Sequence, residues 1–296
     1  MSEVDFFLIG VPKAGTTWLA HTLNQHPGIV LSEPKEPNII ASHKGTFIRS
    51  VESPEWNKFE TCFQGEGLRL DASIHAFSCP LAASRIKERI PDAKFILCLR
   101  EPVSRSFSHW NMVLNTKESK LNGADWETFE KAWSDERLRI DSMYGTSMKN
   151  WLKEFSLDRF FIIDSAQLRA NQTGILAGIE NFLQLDNYNF EFSHSRHSNS
   201  AAKRRPITGI GKLTRTIFSI IPTFIKSPIV RILQKRDLNI YNLPVLSTKG
   251  ISHNIDSSDF KICGNELLKE LELFQSISGF DTTHWREEIN HQLNLN

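Results

Sequence analysis

The chain begins with a short apolar run, "FFLIGV", that leads through a glycine-containing loop into a segment with helical periodicity, "GTTWLAHTLNQHP". An uninterrupted apolar run of this length is typical of a strand buried on both faces of a parallel sheet. Apolar side chains recur on one face of the second segment, Thr16 or Thr17 is placed to cap it, and Pro27 ends it. The opening therefore predicts a β-strand, a tight loop and an α-helix.

The same alternation continues along the chain. The runs "GIVLS", "AKFILCLR" and "RFFIID" are predicted strands, whereas "PLAASRIKERIP", "PVSRSFSHWNMVL", residues 126–156 and "TGILAGIENFLQL" are predicted helices. Residues 41–70 are interpreted as irregular, and "NELLKELELFQSISGFDTTHW" as a closing helix and tight turn. This order predicts an α/β fold with a P-loop-like parallel central sheet and helices on both faces. Ligands of such sheets bind at the carboxyl ends of the strands.

Composition excludes some classes of protein. The net charge of +1 argues against a nucleic-acid partner. The four cysteines contain no C-x-x-C pair, which favours a reduced, cytoplasmic protein. We expect no signal peptide, because the first residues are acidic and enter a strand, and no membrane span, because no apolar run reaches about 18 residues. The oligomeric state stays open.

The loop after the first strand has the chemistry of an anion site. Backbone N–H groups at a helix N-terminus point toward a bound anion, and the helix dipole adds positive potential. Gly15 permits the turn, Thr16 and Thr17 add hydroxyl donors, and Lys13 adds a full charge. The alternative is an ordinary turn with a surface lysine.

The loop differs from that of nucleotide triphosphatases, G-x-x-x-x-G-K-[ST]. Gly10 and Gly15 have the required spacing, but Thr16 occupies the lysine position and Lys13 comes three residues earlier. The run "AKFILCLR" ends in Arg100 rather than in a magnesium-binding Asp. The run "RFFIID" does end in Asp164, so a magnesium site is not excluded. We therefore expect a different nucleotide, handled without a metal.

Several motifs resemble one family. "VPKAGTTWL" resembles the 5′-phosphosulfate loop of sulfotransferases that use 3′-phosphoadenosine 5′-phosphosulfate (PAPS), and "LREPVSRSFSHW" resembles their 3′-phosphate motif. "SEPKEPNII" is similar to a segment of the bacterial and carbohydrate sulfotransferases, and "RFFIIDSAQLRAN", "GIENFLQL" and "LLKELELFQSISGFDTTHW" are similar to later parts of the family. The resemblance covers nearly the whole chain and is weakest at residues 41–66 and 207–250.

The resemblance implies specific roles. Lys13 would stabilise the charge that grows on the leaving phosphate oxygen during transfer. PAPS would be held by Lys13, Ala14, Gly15, Thr16, Thr17, Trp18, Arg100 and Ser108, and by Lys203, Arg204 or Arg205 in a closing loop where Asn199 also lies. The alternative for Arg100 and Ser108 is a helix-capping arginine and an exposed serine, and Arg105 is predicted to be a surface residue.

An acceptor hydroxyl also needs a base. Glu36 in "KEPNII" is the first candidate and His75 in "DASIHAF" is the alternative, whereas His109 is predicted to pack within its helix. The other interpretation of Glu36 is a surface residue that only pairs with Lys35. Some carbohydrate sulfotransferases carry a catalytic Lys or Glu where this chain has Asp71, which leaves the proton route open.

We thus predict one domain, residues 1–296, that transfers the sulfuryl group of PAPS to a hydroxyl or amine of a small-molecule, carbohydrate or lipid acceptor of unknown identity. The alternatives are a P-loop kinase or nucleotide triphosphatase, and a non-catalytic nucleotide-binding module. Residues 192–250 are interpreted as a basic loop and a lid-like apolar insertion. Within it, residues 213–233 are read as a lid because Pro222 and Pro228 interrupt them, with contact to a membrane surface as the alternative.

Overall fold

The architecture is built around a parallel sheet. The computed structural model describes residues 6–192 and 253–295. Five strands hydrogen-bond in the order β2-β5-β1-β6-β7, and every pairing among them is parallel. A small antiparallel hairpin, β3-β4, lies outside this sheet. The strands are β1 (Phe6–Gly10), β2 (Ile29–Leu31), β3 (His43–Lys44), β4 (Ile48–Arg49), β5 (Leu68–Asp71), β6 (Lys94–Leu99) and β7 (Phe160–Asp164).

Helices connect and flank the strands, which confirms the predicted α/β class. In the described residues they are α1 (Thr16–Leu23), α2 (Trp56–Glu60), α3 (Ala82–Arg89), α4 (Pro102–Thr116), α5 (Glu118–Leu121), α6 (Phe129–Ser134), α7 (Glu136–Arg139), α8 (Tyr144–Trp151), α9 (Ser165–Ala170), α10 (Gln172–Leu183), α11 (Ser257–Ser278) and α12 (Thr283–Leu293). Within these same ranges, no helix has the length and apolar character that crossing a membrane requires.

The core explains why the apolar runs become central strands. All five residues of β1 are buried, as are five of the six in β6. Phe95 of β6 contacts an aromatic group made of Trp151, Phe155 and Phe160, with ring centroids 4.7–4.9 Å apart. The indole N–H of Trp151 donates to the carbonyl of Phe77 at 2.9 Å, so its polar atom is satisfied within the core.

The structure corrects three local predictions. Residues 41–70 are not wholly irregular, because they contain the β3-β4 hairpin, α2 and the central strand β5. The predicted helix at 126–156 is divided into α6, α7 and α8, with Thr128 and Asp135 capping the first two. Neither Thr16 nor Thr17 caps α1, since Gly15 occupies the cap position with a φ of 90° and no side chain bonds there.

The chain divides into two compact units. The first comprises Met1–Phe107, Thr128–Phe192 and Ile255–Asn296, and the second Ser108–Glu127 and Ser193–Asn254. In the described part of the second unit, the Trp110 indole donates to the Trp126 carbonyl and Asn111 bonds the backbone of His253. The predicted insertion at 192–250 falls almost wholly on residues outside the described ranges.

Candidate functional site

The first feature of the site is the loop between β1 and α1. Lys13 and Gly15 both have left-handed backbones, with φ of 73° and 90°, and this conformation turns the chain sharply into α1. The first amides of an α-helix have no acceptor within the helix. Here no side chain caps them and no acidic residue lies in the first turn. The N-terminus of α1 is therefore suited to an anion from outside the helix.

The loop is fixed to the carboxyl end of the neighbouring strand, β6. The Val11 amide donates to the Cys98 carbonyl at 2.7 Å, and the Cys98 thiol donates to the Ala14 carbonyl at 3.1 Å. The Arg100 guanidinium donates to the Lys13 carbonyl at 3.4 Å. The structure thus brings together Lys13 and Arg100, two predicted site residues from motifs that lie far apart along the chain.

Arg100 is held from its other side as well. The hydroxyl of Tyr144 donates to the Arg100 carbonyl at 2.8 Å. Burial lowers the pKa of Arg100 below its ordinary value, and the charge of Arg169 lowers it further.

The other residues predicted to contact the nucleotide lie on separate elements. Trp18 lies on α1 with its ring stacked at 6.2 Å from Phe192, and Ser108 lies on α4 in the second unit.

Glu36 lies in a segment that is tied to the end of β5. Its carboxylate is 2.6 Å from the ammonium group of Lys35, and both side chains are partly exposed. The backbone of Lys35 accepts from the Ala72 amide and from the Ser32 hydroxyl. These bonds fix the position of the segment, and they leave the Glu36 carboxylate within reach of solvent and of a small reactant.

Asp71 lies behind Glu36 at the same strand end. It is buried, and its carboxylate accepts from the Ser73 amide at 2.7 Å. Burial raises the pKa of Asp71 to about 6, while Ser73 opposes the shift and the Glu36 charge adds to it. Asp71 and Glu36 therefore form an electrostatically coupled pair of carboxyl groups with Lys35 beside them.

His75 has a different environment. It is 5% exposed, and its Nδ1 lies 3.2 Å from the carboxylate of Asp141, which also accepts from the Ser78 hydroxyl. Arg105 reaches the same cluster, with its guanidinium 4.0 Å from Asp141. This geometry makes His75 part of a buried polar network.

The prediction that Arg105 lies on the surface is wrong. The side chain is fully buried and donates to the Ser142 hydroxyl and to the Leu138 carbonyl. These two partners lie more than thirty residues later in the chain, so no local sequence pattern predicts that Arg105 is buried. His109 is fully buried in its helix, as predicted.

Asp164, at the end of β7, has partners of its own. One carboxylate oxygen accepts from the Ala166 amide at the start of α9, and the other lies 3.0 Å from Nε2 of His284 in α12. His284 escaped the sequence reasoning because it lies far along the chain. Across residues 6–192 and 253–295, no cluster of three or more His, Cys, Asp or Glu side chains is arranged to hold a metal ion.

A cleft of about 670 Å³ begins directly after Glu36, at Pro37 and Asn38. Among the described residues that line it, most are polar, charges of both signs are present and none is aromatic: the remaining residues are Ile39, Lys44, Gly45, Ile48, Glu52, Ser53, Glu55 and Lys58. Its volume is in the range of small-molecule sites. Lys203, Arg204, Arg205, Asn199 and residues 213–233, by contrast, lie outside the described residues.

Comparison with known proteins identifies the family of the chain. The family described as "Sulfotransferase domain" matches residues 3–217. Heparan sulfate glucosamine 3-O-sulfotransferase 5 of Mus musculus is 27% identical over 203 residues, which cover 64% of this chain and 57% of that protein. Bifunctional heparan sulfate N-deacetylase/N-sulfotransferase 1 of Caenorhabditis briggsae is 28% identical over 214 residues, covering 66% and 24% respectively. The chain thus spans only part of the length of these curated relatives.

A solved structure supports the fold. The crystal structure of a sulfotransferase from Alicyclobacillus acidocaldarius superposes with a TM-score of 0.62 at 16% identity, covering 97% of this chain and 100% of that one.

Replacement of Asp71 by Asn tests the buried carboxyl group. Since its pKa is about 6 when folded and 3.8 ordinarily, the folded state binds the proton more tightly. The stability that this proton confers is present below about pH 3.8 and is lost as the pH rises to about 6. The Asn variant avoids that loss, so we expect it to gain ~3 kcal/mol of unfolding free energy relative to the wild type across this window. Denaturant unfolding at several pH values measures the difference, and a difference independent of pH would contradict the assignment.

Proposed function

Because the chain belongs to the sulfotransferase domain family, we propose that it transfers the sulfuryl group of PAPS to an acceptor hydroxyl or amine. In this reaction the acceptor oxygen or nitrogen forms a bond to sulfur as the bond between sulfur and the phosphate oxygen breaks. Adenosine 3′,5′-bisphosphate leaves with the electron pair, and a base takes the acceptor proton. The observation that carries the proposal is the hydrogen bond from Arg100 to the Lys13 carbonyl. This bond places the two residues together at the carboxyl end of β6, beside the N-terminus of α1.

The two cations have separate tasks. Negative charge grows on the bridging oxygen of the leaving phosphate, and an ammonium group there stabilises the transition state more than the bound substrate. We assign this task to Lys13, with the amides of the α1 N-terminus around the 5′-phosphate. Arg100 supplies charge-assisted hydrogen bonds to the 3′-phosphate, with Ser108 as its proposed partner.

Glu36 is the better supported base. A base has to reach the acceptor, directly or through one water. The Glu36 side chain is 28% exposed, and the residue that follows it, Pro37, lines the cleft. His75 is held inside the protein by Asp141, and an acceptor cannot reach it without displacement of that network. Lys35 keeps the carboxylate in place through the 2.6 Å ion pair.

We further propose a carbohydrate acceptor that enters the cleft next to Glu36. Sugars present many hydroxyl or amine groups, and a lining of mixed charge and hydrogen-bonding groups suits them better than it suits a hydrophobic alcohol. The names of the two curated relatives both include heparan sulfate, and the first also includes glucosamine, which supports the same class.

An acceptor screen tests the proposed activity. We expect sulfated product, detected by mass spectrometry, from PAPS and oligosaccharides that contain glucosamine, with little product from long-chain alcohols. The reaction should persist in EDTA, because the proposed transfer uses no metal. Formation of product from alcohols but not from sugars would contradict the acceptor class. Phosphate transfer from ATP that depends on magnesium would instead favour the kinase alternative.

Substitution of Lys13 by Ala tests the role of the loop lysine. The transition state loses a charge partner while the buried core is unchanged, so kcat should fall by roughly 10²–10³. The unfolding temperature should stay close to that of the wild type. Steady-state kinetics and thermal unfolding measure the two effects, and a folded variant with wild-type turnover would refute the role assigned to Lys13.

Substitution of Glu36 by Gln separates proton acceptance from packing. The shape of the side chain is kept and its charge is lost, so turnover should fall by roughly 10²–10⁴ while nucleotide affinity changes little. His75→Ala is the matched control. We expect the latter variant to lose stability through the Asp141 network while the fraction that remains folded keeps its activity. An active Glu36→Gln enzyme together with a folded but inactive His75→Ala enzyme would reverse the assignment.

A further inference from the structure

A second arginine, Arg169, lies at the strand edge that carries Arg100. Strands β6 and β7 are paired in parallel, with Leu99 opposite Asp164, so Arg100 and the start of α9 leave the sheet side by side. Arg169 is an exposed residue of α9, five positions after Asp164. An arginine thus follows each of two neighbouring strands, β6 and β7, at the carboxyl end of the sheet where the loop between β1 and α1 is attached.

The carboxylates at this edge are engaged with other groups. Both oxygens of Glu101 accept amides at the start of α4, from Val103 at 2.8 Å and from Ser104 at 2.7 Å. Asp164 accepts the Ala166 amide and pairs with His284. Within residues 6–192 and 253–295, neither Arg100 nor Arg169 forms an ion pair with an acidic side chain. In these ranges the edge therefore holds two arginines that have no directly paired carboxylate, and the nearby Glu101 charge offsets that of Arg100 only in part.

The two arginines also influence each other. The charge of Arg169 adds to the effect of burial in lowering the pKa of Arg100. It also opposes the rise that burial causes in the pKa of the Cys98 thiol, the group that bonds the loop at Ala14. The charge of Arg169 therefore acts on the end of β6, which the pairing of β6 with β7 places beside the start of α9. Like charges that are held close to each other repel, and a doubly charged anion bound between them relieves this repulsion.

We propose that Arg169 is a second binding residue for the 3′-phosphate of the nucleotide and shares that group with Arg100. A phosphate monoester carries close to two negative charges and three acceptor oxygens, enough for two guanidinium groups. The inference rests on the proposed function, because it requires that the nucleotide carry a 3′-phosphate. It makes Arg169 a residue that distinguishes PAPS from nucleotides without that group.

The test compares two nucleotides that differ only in the 3′-phosphate, adenosine 3′,5′-bisphosphate and adenosine 5′-monophosphate. Calorimetric titration of the wild type, Arg169→Ala and Arg169→Lys provides their affinities. We expect Arg169→Ala to weaken binding of the bisphosphate about tenfold or more and binding of the monophosphate less than twofold. Arg169→Lys should recover part of the loss, because it keeps the charge but not the paired donors. Arg89→Ala is the control. It removes a partly exposed arginine of α3 that pairs with Glu60 of α2, and it should change neither affinity.

Each outcome separates this inference from the proposed function. A wild-type protein that binds both nucleotides equally would refute the 3′-phosphate site itself. If the wild type prefers the bisphosphate and Arg100→Ala abolishes the preference while Arg169→Ala does not, the proposed function stands and the role of Arg169 is wrong. Equal weakening of both nucleotides by Arg169→Ala would also overturn the inference, because the side chain would then act on a part that the two share. Since Arg169 is exposed, the two Arg169 variants should unfold at temperatures near that of the wild type.

Discussion

The site depends on the attachment of one loop to one strand end. The 2.7 Å bond from the Val11 amide to the Cys98 carbonyl continues the β1-β6 pairing into the loop, and the Cys98 thiol and Arg100 guanidinium extend it to Ala14 and Lys13. Without these bonds, the N-terminus of α1 and the lysine would have no defined position relative to Arg100. The sheet edge therefore acts as the reference from which both cations are placed.

A second constraint lies beneath this edge. The buried Arg105 guanidinium joins helix α4 to the segment at Leu138 and Ser142, and Asp141 in that segment holds His75 and Ser78. A buried charge is tolerated only when it is paired and well hydrogen-bonded. The network thus links the start of α4, which follows Arg100, to the chain that follows β5. Loss of one member would leave its partners buried without compensation, so the cluster is strongly coupled.

The sequence predicts the framework well for a physical reason. β1 and β6 are almost wholly buried and β7 is buried in part, so their apolar runs are readily recognised, and the loop motifs stand at the ends of two of them. β5 was missed because it has four residues, "LRLD", of which two are charged, and it is a strand only because it lies between β1 and β2. The burial of Arg105 and the pairing of Asp164 with His284 depend on contacts distant along the chain. The role proposed for Arg169 also depends on a distant contact, because it comes from the pairing of β7 with β6, the strand that Arg100 follows.

The backbone at Lys13 has a consequence for the evolution of this loop. A side chain with a φ of 73° occupies a region that costs non-glycine residues roughly 1–2 kcal/mol. Glycine would relieve the strain but would remove the ammonium group, and a β-branched residue would increase the strain. Under the proposed function, this position sets the backbone strain against the positive charge offered to the leaving phosphate, and lysine keeps the charge. If the chain lost the proposed transfer reaction, glycine or asparagine, which accept this backbone conformation at less cost, would be the favoured replacements for Lys13.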